Sequence, residues 1–189
     1  KLNKMHLDYM NKLTNTGIVD FTLFMKYASP TSMQSFYMYG GEHMLIDSFK
    51  EGLEVILKSV QKQIYIFHFT LRENGLKAIF ENSNNAEELV LRGWQVGEIK
   101  KGFNLDPFKK YNLKILNLYW TWRKSDDKYL SLSKLENLAM AMAGTQLRNT
   151  LEIVHVWKDK VYAEDVQKIF DLLKFKVKVY ATYDSPKQL

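Results

Sequence analysis

A chain of 189 residues, 46% hydrophobic and 25% charged, has the size and composition of one folded domain or one short run of repeats. The absence of cysteine excludes a disulfide framework, a thiolate metal site and a cysteine nucleophile, and no apolar run reaches the roughly 18 residues of a membrane-spanning helix. The net charge of +6 is a lysine charge: of 27 basic residues only Arg72, Arg92, Arg123 and Arg148 are arginines, which argues only weakly for a nucleic-acid partner.

In chain order, Lys1–Lys12 is a charged, Met-containing amphipathic stretch and not a signal peptide. With no Asn-x-Ser/Thr sequon and no cysteine, it points to an intracellular protein, the cytoplasm ahead of the mitochondrion. Val19–Tyr27 and Ser35–Tyr39 read as strands, the second closed by Gly40-Gly41, and residues 1–45 together as an irregular N-terminal unit or cap. From residue 46 to 189 helices and strands alternate. Ile46, Phe49, Leu53, Ile56 and Val60 form one helical stripe. The strand-like runs that follow are Ile64–Leu71, Glu88–Val96, Leu113–Trp122, Leu151–Val161 and Phe175–Thr182. Between them lie a short helix carrying Leu76, Ile79 and Phe80, and a helix over Ser133–Ala143 with a Ser133/Glu136 capping box and Gly144 as its stop. The last is Glu164–Leu173. Gly97–Asn112 shows no helical stripe.

Four of the strand-like runs place apolar residues as L-x-x-L-x-L: Ile64, Phe67, Phe69; Ala86, Leu89, Leu91; Leu113, Leu116, Leu118; and Leu151, Val154, Val156. The fifth keeps Val177 and Val179. These units resemble divergent leucine-rich repeats of the ribonuclease-inhibitor type, with Asp159 at the usual asparagine position of Leu151–Val161, Thr121 in the Leu113 unit and Trp94 in the Ala86 unit. The resemblance implies a short α/β solenoid with parallel strands on one face and helices on the other. A single-layered or doubly wound α/β domain is the alternative architecture. Polar residues at the outward positions, among them His68, Thr70, Arg92, Asn117, His155, Lys158 and Lys178, favour one covered and one open sheet face.

The chemistry-bearing residues form no catalytic constellation. No phosphate loop, dinucleotide fingerprint, zinc-protease helix or nucleophile elbow occurs, and Glu87-Glu88 and Asp126-Asp127 read as solvated rims. His68 and His155 fall too many strands apart to share a metal, so no cofactor is expected. What stands out is the open face. One outward row is read as Thr70, Arg92, Tyr119, Trp157 and Tyr180, and its neighbour as His68, Val90, Asn117, His155 and Lys178. Tyr, Trp and Arg are the residues most enriched at binding hot spots, so Arg92, Asn117, Tyr119, His155, Trp157 and Tyr180 are the candidate partner-binding residues. The expected function is a non-catalytic protein–protein interaction or scaffold module in a larger assembly, its partners other protein subunits. A lysine-rich nucleic-acid binder is the second reading.

Overall fold

The computed structural model describes residues 3–8, 14, 16–20, 23, 33–41, 45–120, 130–156 and 160–182. Among these residues seven strands make a single sheet: β1 (Lys4–Leu7), β2 (Met33–Tyr39), β3 (Val60–Leu71), β4 (Glu88–Val96), β5 (Ile115–Trp120), β6 (Ile153–Val156) and β7 (Lys178–Ala181). Every pairing is parallel and the spatial order is the order of the chain. The strand order never reverses, so the sheet lacks the switch point that a doubly wound fold requires. The stretch expected to be an irregular cap contributes β1 and β2 as regular members of this sheet. Within it residues 16–20 are helical, where Val19–Tyr27 reads as a strand in sequence.

The register explains the core. Phe36/Met38, Ile64/Ile66, Leu89/Leu91, Leu116/Leu118 and Val154/Val156 are laterally paired from strand to strand and are all buried. They share one cluster with the apolar sides of the helices: α1 (Lys50–Leu57), preceded by a 3-10 turn at Ile46–Phe49, α2 (Glu73–Asn82), α3 (Leu132–Ala143), the single turn α4 (Leu147–Thr150) and α5 (Lys160–Leu172). Period-2 alternation then leaves the intervening strand residues on the other face.

The register shifts at three points: between Met33 and Ser35 on β2, across His68 in β3, and between Gly93 and Gln95 on β4. His68 has φ 63°, and Phe67 pairs with Arg92 while Phe69, two residues on, pairs with Gly93. One residue is thus looped out as a bulge, and the side-chain phase flips across it. Ile64 and Ile66 face the helices before the bulge, Phe69 and Leu71 after it, and Phe67 lies on the opposite face with Val90 and Tyr119. The L-x-x-L-x-L reading of Ile64, Phe67 and Phe69 is therefore corrected: Phe67 is not a core-facing member of that unit. A β-carbon in the left-handed region costs about 1–2 kcal/mol.

The helix ends follow local chemistry. In α3 the cap is Ser131, whose Oγ accepts from Lys134 N at 3.3 Å, so the Ser133/Glu136 box is not the one used. The reason is the residue before it: Leu130 and Leu135 are both buried in the core at the two positions that staple a helix start. At the end of α5, Lys174 adopts φ 62°. Its N–H donates to Asp171 O, Phe175 N–H donates to Phe170 O (both 3.0 Å), and the Phe170 and Phe175 rings meet edge-on at 4.9 Å. This is a complete Schellman stop with its hydrophobic contact. Lys174→Gly is expected to raise stability by about 1 kcal/mol, read as a higher urea midpoint at unchanged slope, because glycine removes the β-carbon penalty.

Residues 97–114, between β4 and β5, contain no helix, as the missing stripe predicts. Side chains hold this segment instead. Glu81 accepts from Asp106 N at 2.9 Å and forms ion pairs with Lys77 and Lys109 at 3.7 Å, and Asn137 donates to Ile99 O at 2.8 Å. Ile99, Leu105, Tyr111 and Leu113 are buried beneath it.

Candidate functional site

The sheet face turned away from the main core carries the polar and aromatic residues. Its registers give three rows. The first is Lys4, Ser35, Gln63, Glu88, Ile115, Ile153 and Lys178; the second is His6, Tyr37, Tyr65, Val90, Asn117, His155 and Tyr180. The third contains Tyr39, Phe67, Arg92 and Tyr119. The small cluster buried on this face, Phe67, Val90 and Tyr119 with Tyr39 and Tyr65 against it, includes no helix residue.

The candidate residues are redistributed by these registers. Asn117, His155 and Tyr180 lie side by side in one row, and Arg92 adjoins Tyr119 in the next. Tyr180 is thus not in the Arg92–Tyr119 row, and Lys178 pairs with Ile153 and not with His155. Likewise Thr70 pairs with Gln95 and His68 falls in the bulge, so neither stands beside Arg92 or Val90. The cause is the strand register: Ile64 pairs with Leu89 where the repeat pattern aligns it with Ala86, and Val154 pairs with Val179 where the pattern aligns it with Val177. Trp157 and Lys158 lie outside the described residues.

Burial separates the candidates further. Asn117 is 4% exposed and Tyr119 8%, whereas Tyr180 is 45% exposed; Arg92 and His155 are half-buried. Asn117 and Tyr119 belong to a hydrogen-bonded chain across the strands. Ser35 Oγ donates to Gln63 Oε1 (3.4 Å), Gln63 Nε2 to Glu88 Oε2 (3.0 Å), Asn117 Nδ2 to Glu88 Oε1 (2.8 Å) and Tyr119 OH to Asn117 Oδ1 (3.4 Å). Both oxygens of Glu88 are therefore satisfied by amides from the flanking strands, so it is a half-buried part of the face and not the solvated rim expected from sequence. Such cross-strand pairs stabilise a sheet by up to about 1 kcal/mol each.

The first strands extend the aromatic surface beyond what sequence placed there. Tyr37 and Tyr65 stack at 4.4 Å and 4°, Tyr39 and Phe67 at 4.8 Å, and His6 approaches Tyr37 and Tyr39 at 5.2 and 5.3 Å. Lys4 Nζ sits 4.3 Å from the Tyr37 ring centre, in cation–π range. At the far end His155 and Tyr180 stack at 5.5 Å. The alternation M-Q-S-F-Y-M-Y in Met33–Tyr39 carries the signal for Tyr37 and Tyr39, once the strand's inward side is known from Phe36 and Met38.

Burial sets the electrostatics. It pushes the Tyr65 and Tyr119 hydroxyls above the ordinary tyrosine value, helped at Tyr65 by the Glu88 carboxylate, so both stay protonated. It lowers the His155 pKa against a smaller opposing pull from Glu88, and lowers that of His68, reinforced there by Arg92. Both imidazoles are thus harder to protonate folded than unfolded. As pH falls through the ordinary value of about 6.5, the unfolded chain takes up protons first and stability drops, until the folded values are passed. Urea midpoints are expected to fall between pH 7.5 and pH 5, and His155→Gln is expected to flatten part of that slope.

Among the described residues no group of three His, Asp or Glu side chains is placed to hold a metal ion. None of their helices is long and apolar enough to cross a membrane. On the helix side, a cleft of about 730 Å³ opens where residues 97–114 replace a helix, lined by Glu81, Phe103, Leu105, Asn137 and Met140 among others. Of the two carboxylates in its lining, Glu81 is already committed to Lys77, Lys109 and the Asp106 amide, and Asp106 Oδ1 accepts from Phe108 N–H at 2.9 Å. Neither a family model nor a curated protein matches this chain.

Proposed function

We propose that this chain is a non-catalytic protein–protein interaction or scaffold module, a component of a larger intracellular assembly, built as a short leucine-rich-repeat-like solenoid. The observation that carries the reading is the continuous row His6, Tyr37, Tyr65, Val90, Asn117, His155, Tyr180, with one residue from each of the seven strands. A parallel sheet whose strands follow chain order lays equivalent positions side by side, which is how repeat proteins present an extended contact surface. Large aromatic and amphipathic side chains on such a surface bury much area at little entropic cost. In this reading Tyr180, His155 and Arg92, with Trp157, make contact, while Asn117 and Tyr119 hold the surface in shape. We assign it no cofactor.

The second reading, nucleic-acid binding, draws on Lys4, Arg92 and Lys178 and on the stacked tyrosines as base platforms. Against it, Glu88 places a carboxylate in the middle of the row that has Lys4 and Lys178 at its ends, interrupting any phosphate track. Two measurements separate the readings. Lysine-directed crosslinking of the chain isolated with its partners is expected to place links at Lys4 and Lys178, and links confined to Lys50, Lys77 and Lys168 would overturn the assignment of this face. RNA or DNA binding that falls steeply with salt would favour the second reading.

A further inference from the structure

At the β7 edge, two of the backbone groups that a neighbouring strand would use are already occupied. Lys178 N–H donates to Glu152 O at 2.9 Å and Thr182 N–H to Val156 O at 3.0 Å, so these alternate residues turn inward to β6. Val177 and Val179 turn their groups the other way, to where an eighth strand would lie. A single side chain from α5 fills that place. Gln167 Oε1 accepts from Val179 N–H at 2.8 Å, and its Nε2 donates to Val177 O at 3.0 Å. The same Nε2 donates to Asp171 Oδ1 at 2.9 Å, one helical turn on, which fixes the way the amide points. A primary amide offers the donor and acceptor of a peptide group, so Gln167 pairs with β7 much as the backbone of a further strand would.

We infer that Gln167 is a gate on the β7 edge: it closes the sheet against strand addition, and without it this edge pairs with β7 of a second copy of the chain. Unpaired edge groups are templates for association, and proteins protect them explicitly. The occupant follows from symmetry. An edge that meets its own copy about a two-fold axis pairs antiparallel and satisfies both strands at once, with no second kind of surface needed. Charge adds a second barrier. Lys176 and Lys178 are exposed on or beside this strand, so two copies bring like charges together, and pairing of the opened edge is favoured by high salt. This inference concerns an edge of the sheet and does not depend on the function proposed for its face.

The test uses two substitutions in the full chain. Gln167→Leu keeps the bulk and removes both bonds, and Gln167→Glu keeps the oxygen that accepts from Val179. Amide hydrogen exchange is expected to run about tenfold faster at Val179 in the leucine variant, with Lys178 and Tyr180 unchanged, and to stay slow at Val179 in the glutamate variant. Sedimentation at high salt is expected to show a concentration-dependent dimer for Gln167→Leu and a monomer for the unaltered chain. Unchanged Val179 exchange in the leucine variant would overturn the cap. Faster exchange with a strictly monomeric leucine variant would overturn the pairing.

Discussion

Replacing Phe69 with alanine is expected to cost about 3–5 kcal/mol of folding stability, the usual range for emptying a fully buried aromatic site. Phe69 is 0% exposed, its ring meets Phe49 edge-on at 5.9 Å, and it stands just after the bulge in β3. Its ring also lies under Gly40, where an added β-carbon would fall 2.6–2.7 Å from three of its carbons. The surrounding backbone is tied down as well, Gly40 N–H donating to Phe67 O at 2.9 Å, so the site can collapse only partly. Gly40→Ala is accordingly expected to destabilise by about 1–3 kcal/mol through overpacking. Combined with Phe69→Leu, its cost is expected to shrink, because the smaller side chain vacates the contested space. Urea unfolding of the two single variants and the double variant gives the coupling directly. Additive costs would contradict the contact.

Much of the architecture is written in local pattern. Glu88–Val96 reads as a strand and is one, since its alternation of Leu89 and Leu91 with Val90 and Arg92 has no competing period. The helix carrying Leu76, Ile79 and Phe80 is equally plain, as is the absence of a helical stripe after Gly97. What local pattern could not carry is phase across a bulge. In IYIFHFTL both Phe67 and Phe69 are large and apolar, and nothing in composition marks His68 as the residue taken out of alternation. A left-handed histidine is a tertiary compromise between pairing with Arg92 before it and Gly93 after it. The candidate rows inherited that error at β3 and drifted again at β7, whereas Arg92 beside Tyr119 and Asn117 beside His155 were readable because the Glu88–Gly93 part of β4 pairs with β5, and β5 with β6, without a register shift. Ser35–Tyr39 was readable as a strand and falls within β2, whereas β1 was obscured for a different reason: a parallel strand is recognised by what lies beside it, and β1 is only four residues long.

Tyr119→Ala is expected to lower stability by about 2–4 kcal/mol, whereas Tyr180→Ala should move it by no more than about 0.5 kcal/mol. Both residues were candidates for partner contact, yet their surroundings assign them different work. Tyr119 is buried with Phe67 and Val90, and its hydroxyl reaches Asn117 Oδ1. Truncating it removes a packed ring, frees an acceptor on buried Asn117 and loosens the amide chain that runs through Glu88 to Gln63. Tyr119→Phe isolates the hydroxyl, and a cost of about 1 kcal/mol is expected from it alone. Tyr180 stacks on His155 but leaves nearly half its surface to solvent, so its loss leaves no cavity. Loss of partner binding in Tyr119→Ala would therefore report unfolding as readily as contact. Tyr180→Ala removes a contact without disturbing the fold, and unaltered binding in a Tyr180→Ala, His155→Ala double variant would move the interface off this end of the face.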